Sequence, residues 1–169
     1  MLTSHEWGEP IFSLLQRRSD DHTKVESTLL TNCGTVEGME LRQDAATVGR
    51  ALVSVVDDDE SVRESLPALL KASGFDPRAF SSAAEFLSSD CVHRTQCLIL
   101  DIAMPNMSGL ELQQELRLRG QKIPIVFITA QTDNAVRVRA LEQGAVNVLL
   151  KPFSKTDLLA AVKAALGTS

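Results

Sequence analysis

From residue 51 onward, short apolar runs alternate with longer stretches in which apolar residues recur at helical spacing. The runs at 52–56, 78–80, 97–100, 125–129 and 146–150 predict strands. The stretches at about 61–73, 82–89, 108–118, 133–143 and 155–166 predict helices. Regular alternation of the two kinds implies a parallel sheet covered by helices on both faces. Leu98-Ile99-Leu100 and Ile125-Val126-Phe127-Ile128 are unbroken apolar runs, as strands buried on both sides require.

Punctuation supports this parse. Ser61 with Glu64, Ser82 with Glu85, Ser108 with Glu111 and Ser154 with Asp157 have capping-box spacing, each at the start of a proposed helix. Gly74, Gly120, Gly144 and Gly167 fall near helix ends, where a left-handed residue closes the last turn. Pro67 conflicts with its surroundings. Inside the first helix it removes a hydrogen bond at a cost of about 3 kcal/mol, so a kink or a delayed start is expected there.

Residues 1–50 carry no comparable pattern. Ile11, Leu14 and Leu15 mark one short helical face, and Val25 with Leu29 another, but neither is long enough to hold a helix alone. This part reads as a flexible N-terminal extension, and 51–169 as the folded domain.

Composition narrows the function. The chain has 169 residues, 44% of them hydrophobic, and a formal net charge of −5. Such a balance argues against direct nucleic-acid binding, which needs a basic face. No apolar run approaches the roughly 20 residues of a membrane-spanning helix, and the stretch 11–15 is too short and interrupted for a signal peptide. A cytoplasmic protein is expected. Cys33, Cys91 and Cys97 lack CxxC spacing and read as reduced thiols. His5, His22 and His93 are scattered, so no zinc site is expected.

In open α/β sheets, ligands sit beyond the carboxyl ends of the strands. Here the first strand runs into Asp57-Asp58-Asp59-Glu60, the third into Asp101, the fourth ends at Thr129, and the fifth runs into Lys151-Pro152. Each has an ordinary explanation alone: acids favour a helix N-terminus, and Asp, Thr and Lys-Pro are common around turns. Together, separate strands bring complementary chemistry to one edge. Asp57, Asp58 and Asp101 would crowd three carboxylates, and two unit charges about 4 Å apart repel by about 4 kcal/mol at an effective dielectric of about 20. Such an all-oxygen cluster suits Mg²⁺. A carboxylate is also a nucleophile toward phosphoryl groups, for which positioning and charge neutralisation supply most of the catalysis. The Lys151 ammonium would add positive charge, and the Thr129 hydroxyl a donor.

The stretches VVDDDESVRESL (55–66), LILDIAMPNMSGLEL (98–112), PIVFITA (124–130) and GAVNVLLKPF (144–153) resemble the receiver domain of bacterial two-component response regulators, in particular its FixJ-like branch. The likeness spans 51–167 and none of the first fifty residues. It implies a flavodoxin-like, doubly wound (βα)5 fold with strand order 2-1-3-4-5. It implies a phosphoacceptor at Asp101. Mg²⁺ would be held by Asp58 and Asp101 directly, by Asp57 through water, and by the backbone carbonyl of Ala103. Thr129 and Lys151 would hold the phosphoryl group, and the Lys151–Pro152 bond is expected cis. One position departs: the family usually carries an aromatic residue or His three places before the site lysine, and this chain has Val148. A short β-branched side chain cannot make the inward sweep of an aromatic one. Readout through the loop after Thr129 is then expected. Ala103 and Gln131, the side chains nearest an attacking water, give no indication of phosphate lifetime.

The resemblance implies a signalling module rather than an enzyme. Its partners would be a sensor histidine kinase, a downstream protein docking around 133–166, and, after phosphorylation, a second copy of itself. A DNA-binding regulator is disfavoured, because the chain ends at Ser169 and residues 1–50 show no helix-turn-helix pattern. A phosphohydrolase would need a second acid two residues beyond the nucleophile, where this chain has Ala103. A constitutive scaffold is suggested by Val148 alone.

Overall fold

In the computed structural model, which describes residues 49–168, five strands form one parallel sheet in the order β2-β1-β3-β4-β5. Chain order is β1 (Leu52–Val56), α1 (Glu60–Ala72), β2 (Asp76–Phe80), α2 (Ala83–Ser88), a 3-10 turn (Asp90–His93), β3 (Cys97–Asp101), α3 (Gly109–Leu118), β4 (Ile125–Thr129), α4 (Asn134–Glu142), β5 (Asn147–Leu150) and α5 (Lys155–Leu166). The readings made for the first fifty residues lie, apart from Gly49 and Arg50, outside the described residues.

Central strands β1, β3 and β4 are buried at every position, whereas the edge strands β2 and β5 are partly exposed. Side-chain alternation divides the interior into two cores. Val53, Val55, Cys97, Ile99, Val126 and Ile128 pack against Val62, Leu66 and Leu70 of α1 and Leu158, Ala161 and Val162 of α5. Val56, Leu98, Leu100, Ile125 and Phe127 face the other way, against Phe86 of α2, Leu112 and Leu116 of α3, and Ala140 of α4. The residues are too apolar to leave either face in water, so the helices divide between the two.

Helix starts follow the sequence with one correction. Ser82, Ser108 and Ser154 accept from the backbone three residues on, and Ser108 and Ser154 close full capping boxes with Glu111 and Asp157. Ser61 does not cap α1. Asp59 does, its carboxylate accepting from Ser61 N at 2.9 Å and Ser61 Oγ at 2.6 Å. An ionised acceptor bonds more strongly than a hydroxyl, so the helix starts earlier. It then runs through Pro67; the delayed start does not occur. Strand β2 begins at Asp76 and includes Pro77, which an edge strand tolerates. Gly74, Gly120, Gly144 and Gly167 all take positive φ; at Gly167 (φ 67°) this places α5's C-cap in the left-handed region.

Candidate functional site

β1 lies between β2 and β3, so the chain leaves it toward one side and returns on the other. That reversal opens a crevice at the carboxyl ends of β1 and β3, where helices diverge and ligands bind. Asp57 follows the last residue of β1, and Asp101 is the last residue of β3.

Both carboxylates are buried, Asp57 at 0% exposure and Asp101 at 4%. They meet on the ammonium of Lys151, whose Nζ lies 2.8 Å from Asp57 Oδ2 and 3.0 Å from Asp101 Oδ1. Their other oxygens accept backbone bonds: Asp57 Oδ1 from Asp59 N at 2.8 Å, Asp101 Oδ2 from Ala103 N at 2.9 Å. Burial raises the Asp57 pKa above its ordinary value, against the opposing bond from Lys151. Burial would lower the Lys151 pKa, but the bonds to Asp57 and Asp101 outweigh it, and the net shift is upward. One ammonium facing two buried carboxylates is held charged.

Lys151 is aimed by its backbone as well. Its N–H donates to the Thr129 carbonyl at 2.7 Å, and the Lys151–Pro152 peptide is cis, as expected. Thr129 is 4% exposed, and its Oγ1 accepts from Gln131 N at 3.0 Å. That hydroxyl keeps its proton for another acceptor.

Asp58 stands apart. Its side chain is exposed, and no ion pair among the described residues includes it. Among the described residues no three His, Cys, Asp or Glu side chains gather into a metal-binding cluster. The expected crowding of three carboxylates is therefore a pair bridged by an ammonium, with the third acid on the rim; the lysine offsets the repulsion between Asp57 and Asp101, which still adds to the upward shift of Asp57.

The donor set nonetheless fits Mg²⁺. This ion is commonly held by one or two carboxylates and keeps several waters. Asp57 and Asp101 present only oxygen, as do Asp58 and the Ala103 carbonyl. Three carboxylates outnumber the cations beside them, the Lys151 ammonium and the Arg63 guanidinium, and leave negative charge to be balanced.

Two contributors escaped the sequence reading. Gly109, at the first position of α3, packs on the Asp101 backbone so closely that a Cβ there would overlap the Asp101 carbonyl oxygen and stand 3.1 Å from Ile102 Cα. A glycine opening a helix behind a serine cap is a weak helix former, and that mismatch was the available signal for close backbone approach. Arg63 reaches back from α1, its Nη1 donating to the carbonyls of Asp57 at 3.0 Å and Asp58 at 2.7 Å. Nothing in the sequence marks it, since an arginine on a helix reads as a solvated charge.

A doubly wound, flavodoxin-like sheet with a buried acid–lysine–acid bridge at its switch crevice defines the class of protein. A family model, the response regulator receiver domain, matches residues 53–163. The chain belongs to that family, whose members receive phosphoryl groups from histidine kinases. The transcriptional regulatory protein TdiR of Thauera aromatica is 46% identical over 126 residues, covering 73% of this chain and 55% of TdiR. Transcriptional regulatory protein FixJ of Azorhizobium caulinodans is 42% identical over 117 residues, covering 69% of this chain and 56% of that protein. The crystal structure of FixJ-N superposes with a TM-score of 0.64 at 35% identity, covering 69% of this chain and 94% of FixJ-N. The chain thus spans little more than half the length of these curated relatives. No helix among the described residues is long and apolar enough to cross a membrane.

Proposed function

We propose that this chain is a phosphorylation-gated interaction module that takes a phosphoryl group onto Asp101 from a sensor histidine kinase. The observation that carries the reading is the bridge at the crevice: two buried carboxylates from separate strands, held on one ammonium. In the transfer, an Asp101 carboxylate oxygen forms a bond to phosphorus while the bond from phosphorus to the donor's imidazole nitrogen breaks. The imidazole departs neutral, keeping the proton already carried on its other ring nitrogen while the N–P electron pair returns to the nitrogen that held phosphorus. Lys151 then pairs with a phosphoryl oxygen, and the Thr129 hydroxyl donates to another, which replaces its solvation without further reorganisation. Asp57, Asp58, Asp101 and the Ala103 carbonyl would hold Mg²⁺, which supplies positive charge to the phosphoryl oxygens as charge redistributes. The surface around 133–166 then reports the change to a downstream protein or to a second copy of the chain. A cytoplasmic site of action, without direct nucleic-acid contact, goes with this reading.

Incubation with a small acyl phosphate and Mg²⁺ should add the mass of one phosphoryl group, and chelation should prevent it. Equal uptake by the Asp101→Asn variant would refute the assignment.

A further inference from the structure

The acids of the crevice are not held alike. Asp57 is fixed by Asp59 N and Lys151 Nζ, and Asp101 by Ala103 N and Lys151 Nζ. The exposed Asp58 carboxylate has no ion-pair partner among the described residues. Its direction is set by its own backbone, and that backbone is bonded from outside the loop by Arg63. One guanidinium nitrogen, Nη1, takes the carbonyls of Asp57 and Asp58 together, the shorter bond going to Asp58 at 2.7 Å. Arg63 is itself anchored in the first turns of α1, its N–H donating to the Asp59 carbonyl at 3.1 Å. The loop 57–59 is therefore spanned by one side chain that contacts neither crevice carboxylate.

We infer that Arg63 is a positioning residue for divalent-ion binding: by holding the Asp57 and Asp58 carbonyls it presents the Asp58 carboxylate to the crevice. This rests on the reading of the crevice as a Mg²⁺ site. The bond has a directional consequence. A carbonyl drawn toward α1 fixes the peptide plane and, with it, the Cα–Cβ direction of Asp58. Without the guanidinium, the Asp57 carbonyl loses its bond from α1, and the Asp58–Asp59 peptide plane is left with the Asp59 N–H bond to Asp57 Oδ1 as its remaining tie, so binding has to order a backbone that the wild-type loop holds from both sides. Outer-shell groups of this kind act on metal affinity rather than on the ligands' chemistry.

The test is Mg²⁺ titration of the full chain by calorimetry, with no phosphodonor present, for wild type, Arg63→Met, Arg63→Lys, Asp58→Asn and the double variant Asp58→Asn/Arg63→Met. Arg63→Met should weaken binding about tenfold, the lower range for loss of an outer-shell partner. Arg63→Lys should recover part of it, because an ammonium still donates to carbonyls. In the Asp58→Asn background the Arg63→Met change should have little further effect, since the acid it presents is gone. Unchanged affinity in Arg63→Met, or the same loss with and without the Asp58 carboxylate, would overturn the inference; a drop in thermal stability with unchanged affinity does so too. Absence of saturable binding by wild type would instead remove the Mg²⁺ reading itself.

Discussion

A methyl group at position 109 has nowhere to go. It would meet the backbone of Asp101 and Ile102 rather than a flexible side chain, so relief requires α3 to move away from the end of β3. Overpacking of this kind costs about 1–3 kcal/mol. Gly109→Ala is expected to lose that much in urea unfolding and, under the proposed function, to slow phosphoryl uptake, because the proposed acceptor Asp101 lies at that contact. Full stability in the variant would show that the helix yields freely. At the crevice, ionisation works against the fold. With its pKa raised by burial, Asp57 binds its proton more tightly when folded, so its contribution is favourable below the ordinary value of 3.8 and is lost as pH rises through the folded value. At neutral pH the ionised Asp57 is a net cost. Asp57→Asn, which leaves Lys151 paired with Asp101, should therefore raise the thermal midpoint at pH 7, with the gain fading below pH 3.8. Lys151 behaves oppositely across neutrality. Its raised pKa keeps its stabilising charge present below 10.5 and loses it only as pH rises through the folded value.

Helices differ in how firmly they are attached. α1 buries Val62, Ser65, Leu66 and Leu70, and α5 buries Leu158, Ala161 and Val162, but α4 buries only Ala140 and leaves Val138 and Leu141 exposed. Local opening is cheapest where least apolar surface is returned to water. Amide hydrogens of α4 are expected to exchange faster than those of α1 and α5; equal protection would mean that α4 opens only with the whole domain. Val148 bears on the same element. It is 7% exposed, pairs with Phe127 across β4 and β5, and belongs to the core that contains Ala140. Under the proposed function, a stiff, packed residue at this position leaves the change to be carried by the loop after Thr129. The elements were readable for the reason that binds them: unbroken apolar runs mark β3 and β4, and the serine caps mark α2, α3 and α5. Two boundaries were not. Asp59 outcompetes Ser61 for the start of α1, a contest between acceptors that spacing does not rank, and Pro77 conceals the first half of β2 because edge position is a property of the sheet. At the site, side chains at strand ends were legible, whereas Gly109 and Arg63 act on backbone atoms of the segment just before their own helices, a contact that residue type and spacing do not reveal.

For the molecule as a whole, the proposed ion binding at the crevice would be linked to unfolding of the entire sheet. A ligand that binds only the folded form at one hundred times its dissociation constant adds about 2.7 kcal/mol. Under the proposed function, the thermal midpoint should rise with Mg²⁺ concentration in wild type and stay level in Asp57→Asn/Asp101→Asn. A rise of equal size in that variant would locate the ion elsewhere. Because every strand of the sheet runs in the same direction, all five finish on the rim where Asp57, Asp101, Thr129 and Lys151 gather. The loops entering the strands, such as 119–124 and 143–146, lie on the far rim. Inserted peptides or attached fluorophores at Lys122 should accordingly leave signalling chemistry intact, while the same additions at Asn106 should silence it. The molecule thus has one rim for chemistry and another that an experimenter is free to decorate.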